Sequence, residues 1–546
     1  MTVHRILVTD EIDPEGLELL RAEESFQVDE VPTMPLDDLA KTIGEYDAFV
    51  GRSATKLPAS ILQKATKLRV IGRAGVGTDN IDIDAATGLG IAVINAPAGN
   101  TVAVAELFFG SLISLVRHLP RAVESMRSGR WDRSDLLGTE LRGRSLGIIG
   151  LGRIGSEVAL RARAFAMNVS AFDPYVTDER FDLLRVTRCS RLEDLLRSSD
   201  VVTIHTPLTE ETKGMIGRRE LALMRPQSII ANLARGGIIE ENALQTALSE
   251  KWISAAILDV YSQEPLGAEN PLRHLENVIL TPHLGASTAE GQRNVAVDVC
   301  AAVRDALKEG ELSRAINVVG GVDGRWTEIR PALVLVRRMA ALGRAILADR
   351  GARAVDSISL RVGRDLADAG NLLVASAAAG ALDSVTDEVR LNLVNARSLA
   401  ENRGISLSVS TALAHDPVNG AQVTVCSGNQ QIPVAGVAPE GSSPRVTRIG
   451  DFTVDVTPRR TLLVLTNADV PGVIGRVGTL LGDAGVNIAE YHQARLSEGG
   501  EALAAVSVDG VINEEVRKKL LESRDVKSAT VVRLSELDPA GEQAWK

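Results

Sequence analysis

Three charged residues stand where apolar, β-branched runs give out. Arg235 follows "IIANLA", Glu264 follows "AAILDVYSQ" and His283 follows "VILTP". A histidine titrates near working pH and can take a proton from a substrate hydroxyl or return it to a carbonyl. A carboxylate beside it fixes the ring tautomer and supports the imidazolium. An arginine fork can bind a substrate carboxylate and polarise the adjoining carbonyl. Together these groups suit hydride transfer between a 2-hydroxy acid and a nicotinamide. The chain has only seven histidines, and His205, in "TIHTP", is the competing one at a strand end.

A second set fits the cofactor that such chemistry needs. "GIIGLGRIGSEVALRARAF" places Gly150, Gly152 and Gly155 between an apolar strand and a helical run. That context is what a dinucleotide fingerprint requires: glycines for the tight turn and the close approach of a pyrophosphate, then a helix N-terminus with free N–H donors. The next strand ends at Asp173, 18 residues beyond Gly155. A carboxylate there can accept both ribose hydroxyls of NAD and repels the 2′-phosphate of NADP. Pro174 and Tyr175 follow, so no adjacent arginine favours NADP.

The elements that must carry these residues alternate in type. Candidate strands at 5–10, 48–52, 68–74 and 92–97 are separated by amphipathic stretches, the pattern of a parallel sheet covered by helices. After "PAGN", a long helix is expected, with Asn100 as N-cap and an end near Pro120. Six strand-like runs then follow, at 144–150, 168–173, 200–205, 228–234, 254–260 and 277–282, the rhythm of a doubly wound dinucleotide domain. Doubly wound sheets bind ligands at the carboxyl ends of their strands, where Arg235, Glu264 and His283 fall. Beyond "GGVDGRW" the texture changes to an α+β segment, with strands at "SISLRVG" and "QVTVCSG" and one alternating strand within 438–458. The last piece reads β-α-β-β-α-β, a ferredoxin-like pattern, before a tail at 538–546.

The totals agree with this organisation. The length corresponds to about three to four domains. No apolar run reaches the ~20 residues that span a bilayer, and "MTVHRILVTDE" lacks the plan of a signal peptide. Cys189, Cys300 and Cys426 are odd in number and far apart, which suggests neither a disulfide framework nor a metal cluster and fits a reducing cytoplasm. A net charge of −11 argues against broad binding to nucleic acid or an anionic membrane.

"GLGRIG", "NLARGGIIEENAL", "ILDVYSQEPL" and "TPHLGAST" closely resemble the D-isomer-specific 2-hydroxyacid dehydrogenase family. "GRAGVGTDNID" (72–82) and "APAGNTVAVAEL" (96–107) resemble its first domain and crossover helix. Within the family the chain is most similar to the long form, which adds an intervening domain and a C-terminal ACT domain. The resemblance implies a Rossmann-type doubly wound NAD domain (99–285) inserted in a flavodoxin-like substrate domain (1–98 and 286–318). An α+β intervening domain (319–458) and a ferredoxin-like ACT domain (459–537) follow. It implies NAD-dependent oxidation of 3-phosphoglycerate to 3-phosphohydroxypyruvate, the first step of serine synthesis, by Arg235, Glu264 and His283. The implied cofactor contacts are Gly150, Gly152, Arg153, Ile154, Gly155, Asp173, Thr206, Leu233, Ala234, Asp259, Gly285 and Ala286, with Asp259 near the nicotinamide amide. Arg52 and Arg73 match the positions that hold the substrate phosphate, and Arg133 a residue offered by a neighbouring subunit. "TNADVPGVIGRVGTLLGDAGVNI" resembles an ACT effector site, implying Asn467, Asp469 and Asn487 as L-serine ligands and a homotetramer or homodimer. Two alternatives share the same residues: a glyoxylate or hydroxypyruvate reductase type of enzyme, and an NAD-sensing corepressor-like binding protein.

Overall fold

In the first 300 residues, short apolar β-branched runs become parallel strands buried on both faces, and amphipathic stretches of period 3.6 become the helices that cover them. The structure is a computed structural model that describes residues 3–320, 324–352, 354–383, 390–411 and 417–534. The tail expected at 538–546 lies outside these residues. The chain divides into two compact units, residues 96–298 and residues 1–95 with 299–546.

The second of these units opens with a parallel sheet of β1 (His4–Val8), β2 (Phe26–Glu30), β3 (Ala48–Gly51), β4 (Val70–Arg73) and β5 (Ala92–Asn95). Its order, β2-β1-β3-β4-β5, is that of flavodoxin-like folds. The strand β2, "FQVDE", was not expected. It is an edge strand paired with β1 alone, so it needs no apolar alternation and shows none. The chain returns to this sheet after residue 298. A Cβ on Gly72 would lie 2.7 Å from Val299 and Val303, so glycine lets the returning helix seat on β4. The Asn317 amide then joins β5, accepting from Val93 N–H at 2.9 Å. The other unit is therefore an insertion in this one.

That insertion holds β6 (Ser145–Ile149), β7 (Asn168–Phe172), β8 (Thr187–Arg188), β9 (Val201–Ile204), β10 (Ile229–Asn232), β11 (Ala255–Leu258) and β12 (Val278–Leu280). All pair in parallel, in the order β12-β11-β10-β9-β6-β7-β8, which reverses at β6. Val104, Phe108 and Leu112 of the helix Thr101–Val116 cover one face together with Val158 and Ala162. Leu221, Leu244 and Leu248 cover the other against Ile204, Ile230 and Leu258. Asn100 does occupy the N-cap of Thr101–Val116, but its side chain makes no capping bond. Nor does Pro120 stop that helix. It ends at Val116, His118 turns left-handed, and Pro120 lies in the first turn of a new helix, Leu119–Arg127, where its missing N–H costs nothing.

The remaining strands are β13 (Ser357–Val362), β14 (Ser406–Thr411), β15 (Gly420–Ser427), β16 (Gln430–Val437), β17 (Arg445–Ile449) and β18 (Phe452–Val456), in the order β14-β13-β15-β16-β17-β18. Residues 438–458 thus hold two antiparallel strands, where one was expected. The strand β16 escaped notice because Pro433 interrupts its pattern. The C-terminal piece has β19 (Thr461–Ala468), β20 (Asn487–Arg495), β21 (Glu501–Asp509) and β22 (Val526–Arg533), all antiparallel and ordered β20-β21-β19-β22, as a ferredoxin-like fold requires. Among the described residues, no single helix is long and apolar enough to cross a membrane.

Candidate active site and cofactor groove

The strands β10, β11 and β12 are successive neighbours, so their carboxyl ends share one edge. Arg235, Glu264 and His283 follow those three ends. Glu264 Oε2 lies 2.7 Å from His283 Nδ1, and its Oε1 accepts the Tyr261 N–H at 3.1 Å. With Nδ1 committed to the carboxylate, Nε2 is the ring atom left to exchange a proton. The two side chains are 49% and 37% exposed, so a ligand can reach them. Such an accessible pair adds at most about 1 kcal/mol to stability, so its value is orientation.

His283 is held in the left-handed region, at φ +54°. That conformation costs a non-glycine residue about 1–2 kcal/mol, and its surroundings impose it. Asp259, fully buried just past β11, accepts three hydrogen bonds from the histidine turn. They come from Thr281 Oγ1 at 2.6 Å, Leu284 N–H at 2.7 Å and Gly285 N–H at 2.8 Å. The buried Tyr261 phenol reaches the Thr281 carbonyl at 2.9 Å. Burial pushes its pKa up to about 12, so it stays a donor. Asp259 was expected against the nicotinamide amide. In this structure its carboxylate holds the turn that presents His283, and Oδ2, with one donor, keeps a lone pair for an amide.

Arg235 is set in place in the same manner. Asn232, buried at the end of β10, accepts the Ala234 N–H at 3.0 Å and donates to the Arg235 carbonyl at 2.8 Å. Leu233 is buried beside it. A Cβ on Gly236 would lie 1.9 Å from the Tyr261 carbonyl, so the arginine turn rests directly on the loop that carries Glu264. Sequence reasoning missed Asn232, Tyr261 and Thr281 as positioning groups. The available signal was a polar residue closing an apolar strand, since a buried polar group must find partners.

His205 plays no such part. Its Nε2 lies 3.0 Å from Thr203 Oγ1, and the ring packs edge-on against Phe108. Burial pushes its pKa down to about 3, which leaves it neutral.

The glycine turn sits where the sheet order reverses, the ligand crevice of such folds. Gly150 has φ +91°, and a Cβ there would meet the His205 carbonyl at 2.8 Å. A Cβ on Gly155 would lie 2.1 Å from the Gly150 carbonyl, so glycine lets helix Arg153–Ala164 pack on the turn. At Gly152 a Cβ would meet nothing within 4 Å: the space beside the helix start is open. No side chain caps that helix, and Arg153 and Ile154 form its first turn. The Thr206 hydroxyl is buried nearby without a hydrogen-bond partner among the described residues. Asp173, at the end of β7, accepts the Leu151 N–H at 2.8 Å and the Tyr175 N–H at 2.9 Å. Each carboxylate oxygen keeps a second lone pair for a ribose hydroxyl. Open space, uncapped amides, an orphaned hydroxyl and a placed carboxylate all fit a dinucleotide. Gly285 is buried against Asp259 and Val104, with Ala286 next to it.

The other expected residues lie elsewhere in the fold. Arg52 and Arg73 stand at the carboxyl ends of the paired strands β3 and β4. The Arg52 N–H donates to Asp10 at 2.7 Å, and the Arg73 guanidinium folds over Gly75. Arg133 is exposed in a short turn that also exposes Trp131 and Leu137. The three effector candidates do not meet within one chain. Asn467 is buried in β19 opposite Ala502, and Asp469 just beyond it accepts from Arg495 and Gly499. Asn487 lies opposite Asp509, at the far end of β21. Seven residues of strand, roughly 23 Å, separate the two positions.

Known proteins resemble this chain over nearly its whole length. Residues 109–285 match the family model for the D-isomer specific 2-hydroxyacid dehydrogenase NAD binding domain, and 461–524 match the ACT domain. The chain is 37% identical to the D-3-phosphoglycerate dehydrogenase of Methanocaldococcus jannaschii, over 97% of this chain and all of that one. It is 38% identical to that of Synechocystis, over 98% of this chain and 95% of that one. Among solved structures, a glyoxylate reductase from Paecilomyes thermophila is 31% identical with a TM-score of 0.53, covering 58% of this chain and 99% of its own. A D-lactate dehydrogenase from Aquifex aeolicus, complexed with NAD and lactic acid, is 28% identical with a TM-score of 0.50, covering 57% and 97%.

Proposed function

This chain belongs to the D-3-phosphoglycerate dehydrogenases, a branch of the D-isomer specific 2-hydroxyacid dehydrogenases, and we propose that His283 carries the proton as it oxidises 3-phosphoglycerate to 3-phosphohydroxypyruvate. The observation that carries this reading is the 2.7 Å contact of His283 Nδ1 with Glu264, on the edge that also bears Arg235. NAD, when bound, supplies the hydride acceptor. His283 Nε2 takes the hydroxyl proton as the C–H bond gives up its hydride, and Glu264 steadies the imidazolium. Arg235 holds the substrate carboxylate as a fork and polarises the forming carbonyl. Gly150, Gly152, Gly155 and Asp173 hold the dinucleotide.

His283→Ala should lower kcat on the order of 10²- to 10⁴-fold, measured as NADH formation from 3-phosphoglycerate. Near-normal turnover would remove His283 from the mechanism. Arg52 and Arg73 are assigned to the phosphate. Arg52→Ala should raise KM for 3-phosphoglycerate, and a wild-type preference for glycerate would favour a reductase-type enzyme instead. The matches to dehydrogenases over nearly the whole chain speak against that alternative and against a corepressor.

The same reading assigns substrate binding to 1–98 with 286–318, cofactor binding to 99–285, a spacer or regulatory role to 319–458 and effector binding to 459–537. L-serine is the proposed effector, bound by Asn467, Asp469 and Asn487. A homodimer or homotetramer is proposed, with Arg133 facing a neighbouring subunit. Leu119, Val123, Met126, Trp131 and Leu137 are all exposed on one segment around Arg133, which supports a covered surface there. The proposed location is the cytoplasm.

A further inference from the structure

On either side of the glycine turn, two loops are joined by one hydrogen bond. The strands β7 and β9 flank β6, and the turn leaves the carboxyl end of β6. Tyr175 lies three residues beyond β7, and Glu211 seven beyond β9. The Tyr175 phenol donates to Glu211 Oε2 at 2.6 Å, so the bond links the loops that border the crevice across β6.

Both ends of this link are anchored. The Tyr175 N–H donates to Asp173 Oδ1 at 2.9 Å, and Asp173 Oδ2 accepts from Leu151, inside the glycine turn, at 2.8 Å. The Glu211 loop is braced by Thr212 Oγ1, which donates to the Pro207 carbonyl at 2.6 Å and accepts the Thr209 N–H at 2.8 Å. Despite these tethers Tyr175 is 79% exposed. Packing therefore does not account for its position, and its ring remains open to a flat ligand. A ribose on Asp173 would put its base next to this ring, and aromatic side chains stack on bases of any sequence.

We infer that Tyr175 and Glu211 form a strap over the adenosine half of the cofactor groove, with Tyr175 a positioning residue for the adenine. The inference rests on the cofactor reading above. When the bond opens, the dinucleotide can enter or leave. When it closes, the two loops hold the base.

The test is NADH release from the full-length enzyme by stopped-flow fluorescence, with equilibrium titration alongside. Tyr175→Phe keeps the ring and loses the bond, and should release NADH about three- to tenfold faster. Tyr175→Ala loses both and should release it faster still. Glu211→Gln still accepts from the phenol and should stay close to the wild-type rate, whereas Glu211→Ala should follow Tyr175→Phe. A wild-type release rate in Tyr175→Phe would overturn the strap alone. A wild-type protein that binds no NADH would overturn the cofactor reading with it. The melting temperature without cofactor should not differ among the variants, and a drop that tracks the loss of affinity would make the bond merely structural.

Discussion

A left-handed backbone at a histidine persists only where its surroundings over-determine it. Here Asp259 and Tyr261 hold the residues around His283, and Glu264 holds its ring. Glu264→Gln keeps the shape but can offer Nδ1 a donor, which selects the wrong tautomer. It should lower kcat on the order of 10²- to 10⁴-fold while NADH titration shows the affinity retained. His205 predicts a different pH effect. In the folded protein it takes a proton only near pH 3, whereas an unfolded histidine does so near pH ~6.5. Between these values the unfolded state holds the extra proton, so stability falls with falling pH, by about 1.4 kcal/mol per unit. His205→Asn removes that contribution. Scanning calorimetry should then show a smaller fall in Tm between about pH 7 and about pH 5 than in the wild type.

At the scale of elements, two contacts decide whether turns hold. A Cβ on Gly155 would lie 2.1 Å from the Gly150 carbonyl, so Gly155→Ala must push the helix from the turn. It should cost about 1–3 kcal/mol, visible as a lower Tm and weaker NADH binding. Asp259→Asn places an amide N–H₂ where carboxylate oxygens now meet N–H and O–H donors from Thr281, Leu284 and Gly285. It should cost about 1–3 kcal/mol and lower kcat through a misplaced His283. The strands that bear the site were legible because each is an apolar run closed by a polar residue. The edge strands Phe26–Glu30 and Thr187–Arg188 were not, because both are largely polar and neither buries a residue. Pro120 misled for a related reason: the same residue that ends one helix can begin another.

For the whole molecule, the ACT domain of a single chain does not bring its effector candidates together. Asn467 and Asn487 lie at opposite ends of their sheet, too far apart to share one amino acid. A serine site built from both needs two copies of the domain. Neither Asn467→Ala nor Asn487→Ala alone should then respond to serine. Co-expressed subunits carrying one substitution each should regain some of the inhibition, since some interfaces join two intact halves. Mixed oligomers as insensitive as their parents would remove the shared site.

Residue types and local spacing determined the chemistry this chain can do, because both are written along the strand-turn-helix in which they act. The glycine turn at 150–155, the carboxylate at Asp173 and the polar strand ends at Arg235, Glu264 and His283 needed no more than that. Only the tertiary structure decided which strand ends are neighbours. It set Glu264 against His283 across 19 residues, bent Asp259 toward the turn 25 residues on, and left His205 buried and neutral. The physical reason is that adjacency follows the order of strands in the sheet, and hydrophobic periodicity does not encode that order.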